Sequence, residues 1–533
     1  MDTYPTRRST VYGEAVVASS SPLAASAALE VLAEGGTAAD AAVAAAMCLT
    51  VVEPTNNGIG GDLLALVWDG ERMHGLNASG RSPQAWSPEH FGQYAEMPKR
   101  GWNTVTVPGA VSGWAALSER FGRLDFARLG RDAVRHAEQG WRVGPIVAQD
   151  WGRAAGILGE IADFAATVLP GGRAPREGEK VVFADHAVTL REILATGGES
   201  FYRGVLAERI VAYAEAGGGL LSAEDLAEHE VDWCEPIAAS WGGHELYEIP
   251  PNSQGLAALV AIRILERLGV DPAGTGGTER SGADPDDAET VHLQVEAMRQ
   301  ALSVLHGDIA DPAWMRVEVQ DILSDEVIDA LAARISRSRA ADVVTEPPLA
   351  GGTVYLSVGD ADGMMVSLIQ SNYYGFGSGV VVPGTGIALH DRGAGFVLTE
   401  GHPNQVAGSK RPLNTIIPGL LTRGGVPVCA YGVMGGPMQP QGHLQVMHRL
   451  LAGQSVQQAL DAPRWFVEGD GELKLEVGWP HEVAAALEAK GHCVTRTGPG
   501  DRTYGGGQAV LRLPDGGYAG GSDPRKDGHA AAR

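Results

Sequence analysis

The chain is short of cysteine, aromatic residues, positive charge and long apolar runs, and most of these shortages remove a class of protein. Its four Cys stand far apart at 48, 234, 429 and 493, with no C-x-x-C pair. A disulfide scaffold or a zinc knuckle needs regular, closer spacing, so the thiols read as small buried hydrophobes. No H-E-x-x-H motif occurs among the 15 His, and neither a metal nor another cofactor is expected. Lys and Arg number 41 against 65 Asp and Glu, a formal charge of −24. Nucleic acid and anionic membrane both demand a basic footprint, and no Lys/Arg run supplies one. The longest apolar stretch, Ala38 to Val52, is interrupted by Asp40 and closed by Glu53. It is too short to span a bilayer and reads as a buried helix. Arg7-Arg8 near the start has no apolar stretch behind it, so neither a signal peptide nor a twin-arginine address is expected. The chain therefore reads as cytoplasmic.

At 533 residues it is too long for one compact domain and long enough for two interleaved lobes with a substantial core. Glycine is abundant, 73 residues without a G-X-Y period, which points to tight turns and close backbone approaches. Residues 21–49 have the Ala-rich character of a packed helix, followed by a Gly-rich turn at 58–61 and a strand over Leu63–Trp68. Pro108 and Gly122 bracket another helix. Residues 271–289, rich in Gly, Pro and acids, read as a flexible loop, and a helical pattern resumes over Val291–Leu305. Residues 336–352 cannot build a core and read as a mobile end. Strands follow over Thr353–Val358 and Met364–Ser371, joined through Asp362-Gly363 as a hairpin, with amphipathic helices near 441–453 and 455–462.

Chemistry concentrates around Gly351-Gly352-Thr353-Val354-Tyr355-Leu356-Ser357-Val358. By residue type alone this is an ordinary strand start, since β-branched residues suit strands. Two Gly before a Thr are also what a chain needs to cut itself and expose a new N-terminal Thr. Such a Thr carries its own base, an α-amine with an ordinary pKa of roughly 7.7–8. That amine can take the hydroxyl proton as the oxygen attacks a carbonyl.

Further motifs follow in a fixed order: Ser367-Leu368-Ile369-Gln370-Ser371-Asn372, Gly375-Phe376-Gly377-Ser378-Gly379, Leu389-His390-Asp391-Arg392-Gly393, Lys410-Arg411-Pro412-Leu413-Asn414-Thr415 and Gly432-Val433-Met434-Gly435-Gly436-Pro437. Upstream stand Glu53-Pro54-Thr55-Asn56-Asn57-Gly58-Ile59-Gly60-Gly61, Val107-Pro108-Gly109-Ala110-Val111 and Pro250-Pro251-Asn252-Ser253-Gln254-Gly255. This ordered set resembles the γ-glutamyltransferase family of N-terminal-nucleophile hydrolases, from about Gly13 to about Gly520. The resemblance implies an α/β, four-layer αββα sandwich. It also implies a precursor cut into a large subunit, residues 1–352, and a small subunit, residues 353–533, that remain partners.

By the same resemblance Thr353 is the self-processing nucleophile, and Ser371 is the hydroxyl that holds its amine. Gly435 and Gly436 supply the oxyanion donors; as residue types alone they would make only a tight turn. Asn414 and Thr415 replace the family's paired serines, and both still donate and accept. Tyr373 stands where an Asn commonly contacts substrate. The family's carboxylate-binding Arg falls at Ser79, with Arg81 two residues on, and its ammonium-binding Asp falls at Gly395. Arg392 replaces a neutral amide there, so the ammonium pocket has lost its acid and gained a cation. By residue type Arg392 suits a structural salt bridge as well as a substrate carboxylate, and its place beside the pocket favours substrate. Arg81 and Arg411 are alternative anchors.

The expected activity is hydrolysis of a small carboxylate-bearing amide through an acyl-Thr intermediate, close to the family's oxamate amidohydrolases. The alternatives are a glutathione hydrolase or γ-glutamyl transpeptidase, a dicarboxylyl β-lactam acylase, and an unprocessed binding protein. The oligomeric state is open, with a homodimer as the candidate.

Overall fold

The computed structural model describes residues 8–274, 282–341 and 352–533. Most strands fall into two seven-stranded sheets, numbered here along the chain. The first has the order β14 (His529–Ala532), β2 (Val16–Ser19), β8 (Gly352–Gly359), β9 (Met365–Tyr373), β3 (Asp62–Trp68), β4 (Met73–Asn77), β5 (Asp232–Cys234). The second runs β1 (Val11–Gly13), β13 (Tyr518–Ser522), β12 (Gly506–Arg512), β11 (Val426–Met434), β10 (Gly419–Arg423), β7 (His244–Glu248), β6 (Ile237–Trp241). Neighbours in both are antiparallel, as in the β8–β9 pair and the β11–β12 pair.

The sheets stack through Tyr355, Ile369, Ala430, Met434 and Val510, all buried. The approach is close enough that a Cβ at Gly432 would lie 2.4 Å from the Tyr355 ring. Helices α1 (Pro22–Ala33) and α2 (Ala38–Val52) belong to the apolar cluster on the outer face of the first sheet, with α3 (Ala110–Phe121) and α4 (Pro145–Leu158). The outer face of the second carries α5 (Gly255–Arg267), α6 (Ala288–Asp308), α7 (Met438–Leu451) and α8 (Val456–Asp461). Among the described residues no helix is long and apolar enough to cross a membrane.

Each sheet mixes strands from both sides of Thr353: β8 lies between β2 and β9, and β2 is bordered on its other side by the C-terminal β14. No boundary at 352/353 separates two bodies.

The helix expected over 21–49 is two helices, divided by a turn in which Gly35 takes φ +89°. Asp40 does not break α2; it completes a capping box, Thr37 Oγ1 accepting from Asp40 N at 3.2 Å and Asp40 Oδ2 from Thr37 N at 3.0 Å. The β8–β9 hairpin forms as expected, with Gly363 at φ +93°. Helix α7 starts at Met438, earlier than expected, because Pro440 falls in the first turn where its missing N–H costs nothing. Residues 275–281 of the expected loop and 342–351 of the expected mobile end lie outside the described residues. The described part of that end is anchored: Ala340 N donates to Lys490 O at 2.7 Å and Ala341 N to Glu296 Oε2 at 2.9 Å.

Candidate active site

Thr353 sits one residue into β8, at an irregularity in its pairing with β9. Gly352 pairs with Tyr373 and Val354 with Gln370, so Ser371 and Asn372 together face Thr353 as a bulge. The bulge makes Ser371 Oγ a hub. It accepts the Tyr373 N–H at 2.8 Å, lies 2.8 Å from the Gly352 carbonyl oxygen, and is 3.2 Å from Thr353 Oγ1. A carbonyl only accepts, so the single Ser371 proton goes to Gly352 O, and the Thr353 hydroxyl donates to Ser371. The peptide before Thr353 is thus polarised by the group that can receive the Thr353 proton. Tyr373 reaches its position with φ +72°, a strained left-handed conformation for a bulky residue. Gly352 is obligatory for a local reason: a Cβ there would stand 2.5 Å from Asn56 Oδ1.

Asn56 is held by the buried Glu53. Glu53 Oε1 accepts from Asn56 Nδ2 at 2.8 Å and Oε2 from Ser20 Oγ at 2.6 Å. Because the carboxylate takes the amide's NH2, the Asn56 oxygen is turned toward Gly352. Burial raises the Glu53 carboxyl to about 7. A carboxyl raised on folding binds more protons in the native state between its unfolded value near 4.5 and about 7. Its contribution is therefore most favourable below that window and is lost as pH rises through it. Glu53→Gln is expected to flatten the fall in stability between pH 4.5 and 7 by up to about 3 kcal/mol, measured by denaturant unfolding across that range. An unchanged slope would show that Glu53 titrates normally.

Gly435 and Gly436 close β11 just before α7, with φ of +128° and +59°. A side chain is strained at both, most at Gly435. Gln254 Nε2 donates to the Gly436 carbonyl at 2.8 Å and also to the Thr415 carbonyl, which fixes this turn against the 414–415 loop. Thr353, Gly435, Tyr374, Arg100, Arg153 and Lys526 line a cleft of about 750 Å³. Tyr374 and Pro437 also line a second cavity of about 560 Å³, which includes Tyr373, Gly395 and Thr415.

Arg392 is fully buried, and its charge is not alone. Its Nε lies 3.5 Å from Asp62 Oδ2, Nη1 donates to Thr415 Oγ1 at 3.0 Å, and the guanidinium lies 4.4 Å from the centre of the Tyr373 ring. Burial pulls the guanidinium below its ordinary value while Asp62 holds it up. The pocket read from sequence as having gained a bare cation has gained an ion pair, whose acid lies more than 300 residues away in the chain. Nη2 has no hydrogen-bond partner. Asn414 points its Nδ2 at the same Asp62, 3.2 Å away, so its amide is committed inward. At Gly395 a Cβ would meet the Leu413 carbonyl oxygen at 2.6 Å, and this backbone leaves no room for an acid there.

The structure brings Thr353 and Gly435 to one cleft, with Ser371 bonded to Thr353 and Gly436 next in the chain to Gly435, and places Tyr373 and Thr415 on the adjoining cavity with Arg392 and Asn414 buried behind them. Arg81 and Arg411 do not line the cleft. Arg81 pairs with Asp311 at 2.8 Å, and Arg411 pairs with Asp232 and donates from Nε to Ser79 O at 2.7 Å. Sequence reasoning gave no role to Asp62, Glu53, Gln254 or Arg100. The first three lie within or beside the motifs quoted above, and that proximity was a usable signal. Arg100 had none; it is placed by the carbonyls of Gly375 and Gly377 and by Asp391 at 3.3 Å.

Comparison with known proteins agrees with this geometry. The family model described as gamma-glutamyltranspeptidase matches residues 24–533. The chain is 35% identical to the oxamate amidohydrolase proenzyme of Klebsiella pneumoniae, over 96% of each chain. It is 32% identical to the glutathione hydrolase-like YwrD proenzyme of Bacillus subtilis, over 98% of this chain and 99% of that one. Among solved structures, a cephalosporin acylase from Bacillus halodurans superposes with a TM-score of 0.92 at 43% identity, covering 99% of this chain and 98% of that one.

Proposed function

The chain belongs to the gamma-glutamyltranspeptidase family and is an N-terminal-nucleophile hydrolase; on that premise we propose that it cuts itself between Gly352 and Thr353 and hydrolyses an amide through Thr353. The observation that carries this reading is the Thr353–Ser371–Gly352 hydrogen-bond chain. Thr353 Oγ1 attacks the Gly352 carbonyl carbon as its proton passes to Ser371 and is relayed from there to the Thr353 nitrogen, so that the C–N bond breaks to leave an ester and a free amine. Water then cleaves the ester, giving a Gly352 carboxylate and an N-terminal Thr353. In turnover the amine takes the hydroxyl proton as Thr353 Oγ1 attacks the substrate carbonyl, then gives it to the substrate nitrogen, so that the amide C–N bond breaks, ammonia or an amine leaves and Thr353 holds the acyl group as an ester. The oxyanion is held by the Gly435 and Gly436 N–H groups, and the amine activates the water that releases the acid. The products of self-cleavage, residues 1–352 and 353–533, remain joined through shared sheets in a four-layer αββα sandwich.

The substrate class we propose is an amide whose acyl group bears a carboxylate and no adjacent ammonium. Three features support it: the exclusion of an acid at Gly395, the unpartnered Nη2 of Arg392, and the Arg100, Arg153 and Lys526 side chains on the cleft. Oxamate is the smallest candidate, in line with the Klebsiella relative. A second reading, a dicarboxylyl acylase with a bulky amine as leaving group, is favoured by cleft size, since about 750 Å³ suits a drug-sized ligand.

The test is release of ammonia or amine from oxamate, glutamine, glutathione, a γ-glutamyl anilide and a dicarboxylyl β-lactam amide. Amides of the anionic class are expected to exceed glutathione in kcat/KM, and preference for glutathione would overturn the substrate assignment. Arg392→Gln strands Asp62 as a buried charge and should cost about 3–5 kcal/mol of stability. The informative variant is therefore Arg392→Gln with Asp62→Asn, which removes both charges. It is expected to fold, to be cleaved, and to lose the anionic substrate while sparing an uncharged amide. Equal retention of both would remove Arg392 from substrate binding.

A further inference from the structure

Outside the cleft, His292, Glu296 and His492 bring their ligand atoms within 4.8 Å of one another. His292 and Glu296 are one turn apart on α6, and His492 arrives 200 residues later. Their relative exposures are 0%, 0% and 4%. His292 Nε2 lies 2.7 Å from the Ser336 carbonyl oxygen, so it carries the ring proton and Nδ1 presents a lone pair. His492 Nε2 lies 2.8 Å from that lone pair and must donate to it. His492 Nδ1 is then a bare acceptor, buried and without a partner. Burial lowers both imidazoles from their ordinary values, which keeps the rings neutral, the form that ligates metals.

An imidazole whose far nitrogen is tied to a backbone carbonyl is the usual setting of a metal-bound His. Glu296 is oriented in the same way, Oε2 by the Ala341 N–H at 2.9 Å and Oε1 by Arg299 at 3.3 Å. We propose that His292, Glu296 and His492 form a binding site for a divalent first-row transition metal of the Zn²⁺ type. Two imidazole nitrogens and a carboxylate are a donor set for Zn²⁺, Co²⁺ or Fe²⁺ rather than for Ca²⁺ or Mg²⁺. The ion would take the place of the hydrogen shared by the two rings. His492 need only move its proton from Nε2 to Nδ1 to offer the second lone pair. The sequence pattern hid the site because its third ligand is remote from the His-x-x-x-Glu pair.

The consequence is a clamp. The ion would join α6 and the Ser336–Ala341 segment, which precede Thr353, to His492, which follows it, and so tie together the two stretches that self-cleavage would separate.

The full-length protein is stripped with a chelator and titrated with Co²⁺ and Zn²⁺. One equivalent of Co²⁺ should bind with visible d–d absorption, Zn²⁺ should displace it, and Tm should rise with Zn²⁺. His492→Gln should weaken binding by about 100-fold or more, beyond the loss expected for an outer partner. Glu296→Gln, which can still accept from Ala341 N–H, should do the same if His492→Gln fails to fold. Absence of a bound equivalent in the stripped wild type, or equal binding in the variants, would overturn the proposal.

Discussion

Thr353→Ala is expected to remain one uncut chain and to have no measurable amide turnover. The variant removes the hydroxyl that faces the Gly352 carbonyl through Ser371, so the N-to-O shift has no attacking atom. Without the shift no α-amine is released, and base and nucleophile are lost together. Loss of a nucleophile in a hydrolase typically costs on the order of 10⁶ in kcat. The fold should survive, because Ala keeps the Cβ of Thr353 and β8 keeps its pairing with β2 and β9. A denaturing gel and the mass of each fragment report the outcome. Wild type should give residues 1–352 and 353–533, Thr353→Ser should cut because it keeps the oxygen, and Ser371→Ala should cut slowly. A Thr353→Ala protein that still splits before residue 353 would sink the assignment.

The second large effect is expected at Gly436. Its φ of +59° and that of Gly435, +128°, are torsions that a side chain rarely adopts, at the turn that leads into the helix. Val at 436 is a β-branched residue in the left-handed region, and it would turn the peptide to relieve the strain. Losing one oxyanion donor costs about 10²–10³ in turnover. Because the donors act on the charge that develops in the transition state, kcat should fall far more than KM rises. The proposed self-cleavage draws on Ser371, bonded to Thr353 and to the Gly352 carbonyl, so the variant should still mature. Steady-state kinetics on correctly cleaved Gly436→Val separate the two steps. Unchanged kcat would place the donors elsewhere.

The pocket around Arg392 explains why charge counting along a chain can mislead. The swap of a neutral amide for Arg392 is visible in the sequence, and so is the absence of an acid at 395. The compensating Asp62 is equally visible as a letter, but its pairing with Arg392, 3.5 Å away, depends on β3 lying beside the end of β9. A buried cation draws a partner from wherever the fold can supply one, since an unpaired charge there is far costlier than a paired one.

The sequence by itself determined the order of the motifs, the candidate nucleophile and the local elements that carry them. Gly-Gly-Thr, the Asp362-Gly363 turn and the strands it joins are short-range properties, set by backbone sterics and local propensity. Why Gly435 and Gly436 are glycines shows only in the structure, where their torsions admit little else. Tertiary structure alone decided how protons and charges are shared. Ser371 became the link between Thr353 and the Gly352 carbonyl only through a one-residue bulge, which no spacing rule reveals. Glu53 became an orienting carboxyl through burial, and Arg81 and Arg411 were withdrawn from the cleft by Asp311 and Asp232. Hydrogen bonding and desolvation depend on distances of a few ångströms between groups hundreds of residues apart, and only packing of the two sheets and their helices fixes those distances.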